Sequence, residues 1–378
     1  MAQRADEGNE DVALLRQMLE IESLSGQEER LSAFLVSAMH ARGFPRAYRD
    51  GAGNAIGEMG DGPRTVVLLG HMDTAPGRIP IKLAEGKLYG RGAVDAKGPL
   101  AAFISAAAKV GPLPGLRLVV VGAVEEEAAT SKGARYLVER FRAEGTPSAC
   151  VIGEPNGWDR IGLAYKGRLL ADFVAEQPSG HPSGPRTGVC EAAVLWWLAL
   201  QAYSNIYNVG KTALFDQLQA SLRRLRSSDD GLVERAEATV GFRIPPDFDV
   251  SALRETIEEA AHAAGGQVRL YAEEPPYRAE KNTPLTRAFL AAIRAAGGKP
   301  AFKLKTGTSD MNVVGPAWGC PILAYGPGDS ALDHTPEEHI EVEEYLRSIS
   351  VLTYALRALA TEQDEQAQGP SAGNGARR

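Results

Sequence analysis

Along residues 11–42 apolar side chains recur at three-and-four spacing: Leu14, Leu15, Met18 and Leu19, then Leu31, Phe34, Leu35 and Ala38. That period predicts two amphipathic helices, separated at Ser25-Gly26. The pattern then changes to short, almost wholly apolar runs at 65–69, 116–124 and 149–152, which read as buried strands. Helices expected at 97–110, opened by Gly98-Pro99, and at 132–142 alternate with them. Apolar strands alternating with helices predict a mostly parallel sheet covered on both faces.

The rhythm changes after Ile161. Residues 163–175 read as a longer strand with polar residues interleaved, and 189–204 as a helix containing Trp196 and Trp197. An alternating strand at 237–244 ends at Pro245-Pro246, and an amphipathic helix (250–264) and a strand (267–273) follow, with a further candidate strand near 215–225. Such a series predicts a small α+β layer of the ferredoxin-like kind. Helix (284–296), strand (321–325) and helix (342–360) then return. The expected organisation is an α/β domain in two parts, 11–161 and 275–360, interrupted by an inserted α+β domain at 162–274. The first ten residues and a polar tail at 361–378 are expected to be disordered.

A chain of 378 residues exceeds the ~250–300 at which single cores stop growing, in line with two domains. The charge balance, 41 basic against 48 acidic residues and a net −7, argues against a nucleic-acid binder. No apolar run approaches the ~20 residues that span a membrane, and the N-terminus lacks the layout of a signal peptide. Cys150, Cys190 and Cys320 are far apart and form no CxxC, as expected of thiols in a reducing cytoplasm rather than of disulfides or a thiolate zinc site.

Chemistry gathers at the ends of the apolar runs. His71 and Asp73 follow the first; an imidazole there is placed to hold a metal, with Asp73 orienting its other ring nitrogen. Taken alone, the pair also reads as a polar turn with a capping aspartate. Asp95 stands in a glycine-rich turn before a helix, where a carboxylate either caps the helix or bridges two ions. Glu125, Glu126 and Glu127 follow the second run, and three adjacent carboxylates there are costly without a cation or proton. Glu154 follows the third run, and His334 follows the strand at 321–325 and its glycines. Histidines and carboxylates at five strand ends indicate divalent ions, zinc by default. Two ions ~3.5–4 Å apart would need a shared bridge, which Asp95 supplies.

In this order and spacing the motifs resemble the di-zinc aminoacylase/carboxypeptidase family, over about residues 11–360. The resemblance implies a metal-binding catalytic domain with an inserted lid or dimerisation domain, and hence a homodimer. It implies His71, Asp95, Glu127, Glu154 and His334 as ligands of two divalent ions, zinc or alternatively cobalt, with Asp73 orienting His71 and Glu126 as general base. The family has Asp-Glu-Glu where this chain has three glutamates. A register one residue earlier, with Glu125 as base and Glu126 as ligand, therefore stays open. His181, Pro185 and Gly188 fit a family signature whose histidine reaches the partner subunit's site, although Cys190 replaces the usual asparagine. Arg243 resembles an arginine that pairs with a substrate carboxylate; it reads equally as a sheet-edge ion pair. Thr306, Gly307, Thr308 and Ser309 resemble a substrate loop able to offer N–H groups and hydroxyls. His339 does not fit the motif and is expected at the surface or behind the ligands.

The words GHMDTAPG, GRGAVDAKGPLAA, VEEEAATSKGARYL, KLKTGTSDMNVV and YGPGDSALDHTPEEHIEV are most similar to the LysW-lysine/ornithine hydrolase branch. That resemblance implies release of lysine or ornithine from the C-terminal glutamate of LysW, a small acidic carrier protein, in lysine and arginine biosynthesis. Deacylation of N-acetylornithine or a related small molecule is the alternative. A metal-stabilised binding protein without catalysis is the remote one.

Overall fold

The computed structural model describes residues 9–181 and 186–367. The chain divides into two compact units. Unit 1 comprises the chain up to Leu163, Ala279–Lys303 and the chain from Val313 onward; unit 2 comprises Ala164–Arg278 and Leu304–Asn312. The insertion expected at 162–274 thus ends four residues later, at Arg278, and a second short segment, containing the 306–309 loop, groups with it.

Unit 1 opens with helices α1 (Glu10–Glu20) and α2 (Glu29–Ala41). Strands β1 (Arg46–Arg49), β2 (Ala55–Met59) and β3 (Arg64–His71) follow, then the short β4 (Lys82–Ala84) and β5 (Lys87–Tyr89). Helix α3 (Lys97–Val110), strand β6 (Leu116–Ala123), helix α4 (Lys132–Glu144), strand β7 (Ala149–Gly153) and strand β8 (Arg160–Tyr165) continue the chain. The last part of the chain holds the short β13 (Tyr277–Arg278), α7 (Pro284–Ala295), β14 (Ala301–Lys305), β15 (Ile322–Ala324), β16 (His339–Glu341) and α9 (Val342–Ala367). The strands of the main sheet lie in the order β1-β2-β6-β3-β7-β15-β8-β13, with β14 also paired to β8. The central β6, β3, β7 and β15 run parallel, and the flanking pairs are antiparallel. These central strands are the apolar runs of the sequence, buried because helices cover parallel strands.

Glycines bring a helix close under the strand ends. Gly70, Gly122 and Gly153 are register partners near the C-terminal ends of β3, β6 and β7. A Cβ on residue 153 would lie 2.9 Å from the Phe103 ring and 3.1 Å from Gly70 Cα, and one on residue 70 would lie 3.2 Å from Leu100 Cβ. Only a residue without a side chain lets α3 approach the sheet here, directly beneath the residues that follow each strand.

Unit 2 runs β9 (Gly167–Pro178), α5 (Val189–Tyr207), β10 (Gln219–Asp229), β11 (Val233–Ile244), α6 (Val250–Ala263), β12 (Gln267–Glu274). Its sheet is antiparallel in the order β10-β11-β9-β12, the β-α-β-β-α-β arrangement of ferredoxin-like layers. The strand expected at 163–175 is in fact two, because the chain leaves β8 at Tyr165 and starts β9 at Gly167. β1 and β2 were not expected, since their short polar or glycine-containing stretches carry no strong period. The helix expected to end at residue 360 continues as α9 to Ala367, into the stretch expected to be disordered. Residues 361–367 are mostly Glu and Gln, which extend a helix already nucleated and packed.

Trp196 is fully buried in unit 2, stacked on Phe173 at 4.9 Å, and its indole N–H donates to Ile257 O at 3.3 Å. Its neighbour Trp197 is only half-buried against the same core. Trp196→Ala is expected to destabilise the protein by about 3–5 kcal/mol in urea unfolding followed by circular dichroism, as large aromatic truncations in cores do. Trp197→Ala should cost clearly less; equal losses would show that this core is not organised around Trp196.

Candidate active site

His71 ends β3 and is 2% exposed. Its Nδ1 lies 3.1 Å from the Asp73 carbonyl and 3.4 Å from Asp73 Oδ1. The Nδ1–H can donate there, and Nε2 faces Asp95 Oδ1 at 3.2 Å. Glu154 Oε1, just past β7, is 3.9 Å from the same nitrogen, and Glu126 Oε2 is 4.0 Å from it. The other oxygen of Asp95, Oδ2, lies 3.1 Å from His334 Nε2, and Glu127 Oε1 lies 2.8 Å from that nitrogen. Two clusters therefore overlap. The donor atoms of His71, Asp95 and Glu154 lie within 4.8 Å of one another, as do those of Asp95, Glu127 and His334.

The Asp95 carboxylate is shared by both clusters, one oxygen toward each imidazole. Two imidazoles and three carboxylates form a donor set suited to borderline and hard divalent ions. Among the described residues no cysteine joins either cluster. The residues present thus fit a pair of divalent ions.

Burial opposes a charged imidazole at His71, but Glu126, Asp73 and Asp95 outweigh it and hold the pKa well above the usual histidine value. Hydrogen bonds to Asp95 and Glu127 raise His334 to about 10. Asp95 sits well below the ordinary carboxylate range, because the two imidazoles override its burial. Burial raises Glu127 despite its bond to His334. The carboxylates thus favour the charged form of both imidazoles, and the imidazoles favour the charged form of Asp95.

Local backbone geometry aims the candidate ligands. Glu125 has φ 57° and His334 has φ 60°, both in the left-handed region that non-glycine residues rarely adopt. The turn at Glu125 sends its carboxylate to Thr130 Oγ1 (2.7 Å) and Lys132 Nζ (3.3 Å). The next two glutamates face the histidines.

Asp73 does more than orient His71. Its Oδ1 accepts the N–H of Glu126 (3.1 Å), and its Oδ2 accepts the N–H of Glu127 (3.0 Å) and the Ser25 hydroxyl (2.7 Å). The segment between α1 and α2 buttresses these loops further. Ser23 Oγ donates to Met72 O at 2.7 Å, and Glu28 Oε1 accepts the Glu125 N–H at 3.0 Å. Asn54 Oδ1 accepts the Val124 N–H at 3.0 Å. Sequence reasoning missed Ser23, Ser25, Glu28 and Asn54. The Ser25-Gly26 helix break is the sole signal that the sequence offers for them.

In unit 2, Arg243 lies near the end of β11 and donates from Nη1 to Thr308 Oγ1. Thr306, Gly307 and Thr308 are half-buried. Ser309 is buried and committed to the start of α8 (Met311–Trp318): its N–H donates to Asn312 Oδ1 at 3.0 Å, and its Oγ accepts the Met311 N–H at 3.2 Å. His181 is exposed, beyond the end of β9. Gly188 caps α5, with its N–H on Glu191 Oε2 at 2.9 Å; Pro185 lies outside the described residues. His339 is half-buried against Tyr89, with ring centroids 4.9 Å apart.

The chain belongs to Peptidase family M20/M25/M40, which it matches over residues 67–358. It is 47% identical over 352 residues to the LysW-lysine hydrolase of Deinococcus radiodurans, covering 92% of this chain and 96% of that protein. Among solved structures it is similar to the M20 family metallo-carboxypeptidase Sso-CP2 of Sulfolobus solfataricus, with a TM-score of 0.77, 18% identity, and 93% and 99% of the two chains covered. It is similar also to the Bacillus subtilis YXEP protein, described as a dinuclear metal-binding peptidase of the M20 family, with a TM-score of 0.67, 16% identity, and 93% and 97% coverage. Among the described residues no helix is long and apolar enough to cross a membrane.

Asp73→Ala is expected to leave the N–H groups of Glu126 and Glu127 unsatisfied, at about 1–3 kcal/mol each. Thermal melting of the metal-free protein reads that loss; an unchanged melting temperature would mean that Asp73 does not hold this loop.

Proposed function

We propose that this chain is a metal-dependent amide hydrolase that releases lysine or ornithine from the C-terminal glutamate of the carrier protein LysW. The observation that carries the reading is the 47% identity to a LysW-lysine hydrolase over nearly the whole chain. The overlapping clusters at Asp95 support the chemistry.

His71, Asp95 and Glu154 would hold one ion, and Asp95, Glu127 and His334 the other, with zinc as the first choice and cobalt as the second. When bound, the ions supply positive charge that acidifies water and stabilises a developing oxyanion. Glu126 is the general base. It faces His71 without belonging to either ligand cluster, and its backbone is pinned by Asp73. It takes the proton of the attacking water and passes it to the departing amine. Asp73 fixes the His71 tautomer through Nδ1. By resemblance, His181 serves the scissile carbonyl from a second copy of the chain in a homodimer. Arg243, with Thr306, Gly307 and Thr308, receives a substrate carboxylate, while Ser309, buried and bonded at the start of α8, holds that loop in place. The inserted unit is the lid and dimerisation domain, and the setting is the cytoplasm.

The test is amine release from carrier-linked lysine and ornithine against N-acetylornithine, with metal and with chelator. Chelator-sensitive cleavage of the carrier conjugate, far faster than of the acetyl compound, is the expected result. The opposite preference would place the chain among small-molecule deacylases. Glu126→Gln is expected to keep its metal and lose about 100- to 10,000-fold in kcat, the span of general acid–base contributions. Turnover near the wild-type level would mean that Glu126 is not the base.

A further inference from the structure

Two charged residues outside both ligand clusters touch every loop that carries a histidine or the shared aspartate. β16 pairs antiparallel with β5, His339 opposite Tyr89, which lays residues 334–338 against the turn at 90–95. Glu338 is fully buried there. Its Oε1 accepts the N–H groups of Val94 (2.9 Å) and of Asp95 itself (3.1 Å), and its Oε2 accepts Arg91 Nη1 at 2.8 Å. Arg91 Nη1 also donates to Thr335 O at 3.2 Å, next to His334, and Arg91 Nε donates to Gly77 O at 3.1 Å, in the loop that follows Asp73.

A buried ion pair is a poor device for stability alone, because desolvation consumes most of what the attraction yields and an apolar pair often serves as well. Its value here lies in what it holds. The peptide groups it fixes are those that aim the Asp95 side chain, and the carbonyl it fixes is one residue from His334. The two clusters depend on it unequally. His71 is also tied by Asp73, and Glu154 stands at the end of a central strand. His334 is half exposed with φ 60°, and its neighbour Thr335 is held to the Asp95 turn through Arg91.

We propose that Glu338 and Arg91 are the positioning pair of this centre, setting the reach of Asp95 to His334 so that the Glu127–His334 subsite is the one they control. The inference rests on the reading of the centre as a two-ion site.

Cobalt(II) titration of the full-length metal-free protein tests both, followed by visible absorption and by competition with a chelating dye. Wild type is expected to take two equivalents; uptake of fewer overturns the two-ion reading, and this proposal with it. Glu338→Ala is expected to weaken the second equivalent about 10-fold or more, the usual cost of removing a group behind a ligand, and the first by much less. Glu338→Gln keeps an acceptor for the two N–H groups and should lose less than alanine. Arg91→Lys keeps the charge but loses the planar fork, and should show the same selective loss. If Glu338→Ala does not fold by circular dichroism, the other two variants carry the test. Wild type taking two equivalents while the folded variants bind both as wild type does, or weaken both equally, overturns the proposal and leaves the two-ion reading intact.

Discussion

Five carboxylates, those of Asp73, Asp95, Glu126, Glu127 and Glu154, converge on two imidazoles where parallel strands end. Two unit charges 4 Å apart interact by about 1 kcal/mol in water and about 4 at an effective dielectric of 20, so like charges gathered beside a buried sheet end are a heavy load on the fold. The protein answers with donors placed on each group in turn. Asp73 collects two backbone N–H groups, a hydroxyl and the edge of His71. Asp95 spans both imidazoles, and Glu127 leans on His334. Two histidines still offset only part of five negative charges. A pair of divalent ions would relieve the remainder, which is why the donor set and the electrostatics point the same way.

That load determines what the surrounding fold must be. The loops holding the carboxylates have to stay put without the ions, so their backbone N–H groups are tied to side chains rather than left to water. Ser23, Ser25 and Glu28 reach in from the segment between α1 and α2, and Asn54 from the start of β2. The glycine row at Gly70, Gly122 and Gly153 lets α3 support the same strand ends from below. Residues far apart in the chain thus act on one small volume, and a rigid parallel sheet makes their convergence reproducible.

Four of the candidate site residues were legible in the sequence because they come close after an apolar run. A polar residue after a buried strand has few places to go other than the sheet's C-terminal edge, so His71, Glu126, Glu127 and Glu154 announced themselves. The supporting residues had no such mark. Ser25 meets Asp73 across 48 positions and Glu28 meets Glu125 across 97, separations that no local period encodes. The register within Glu125, Glu126 and Glu127 depends on one backbone angle, φ 57° at Glu125, which composition does not reveal. Glu338 was visible only as part of a motif around His334. Its own role emerges once β16 pairs with β5 and carries it under the Asp95 turn. The inserted layer was legible as a change of rhythm, but its second segment at 304–312 was not, because the chain returns there only in space.

Unit 2 presents the opposite electrostatic problem. Lys166 is fully buried, and its ammonium donates to Leu214 O, Gln217 O and Gln219 Oε1. Burial, and then the neighbouring Arg243 guanidinium, lower its pKa to about 8. Arg168 is the register partner of Arg243 on the adjacent strand. Asn312 ties Lys166 O and Pro275 O to the loop that carries Thr308, to which Arg243 donates. Three cations thus gather at one end of a sheet in a chain whose net charge is −7, with Glu274 opposite Arg168 on β12 and Asp216 near Lys166. Net charge governs solubility and long-range encounter, while recognition of an anionic group depends on where the cations are held and how dry they are. A chain of net charge −7 can therefore still hold a local group of cations, fixed by carbonyls and amides and not drawn from the average surface.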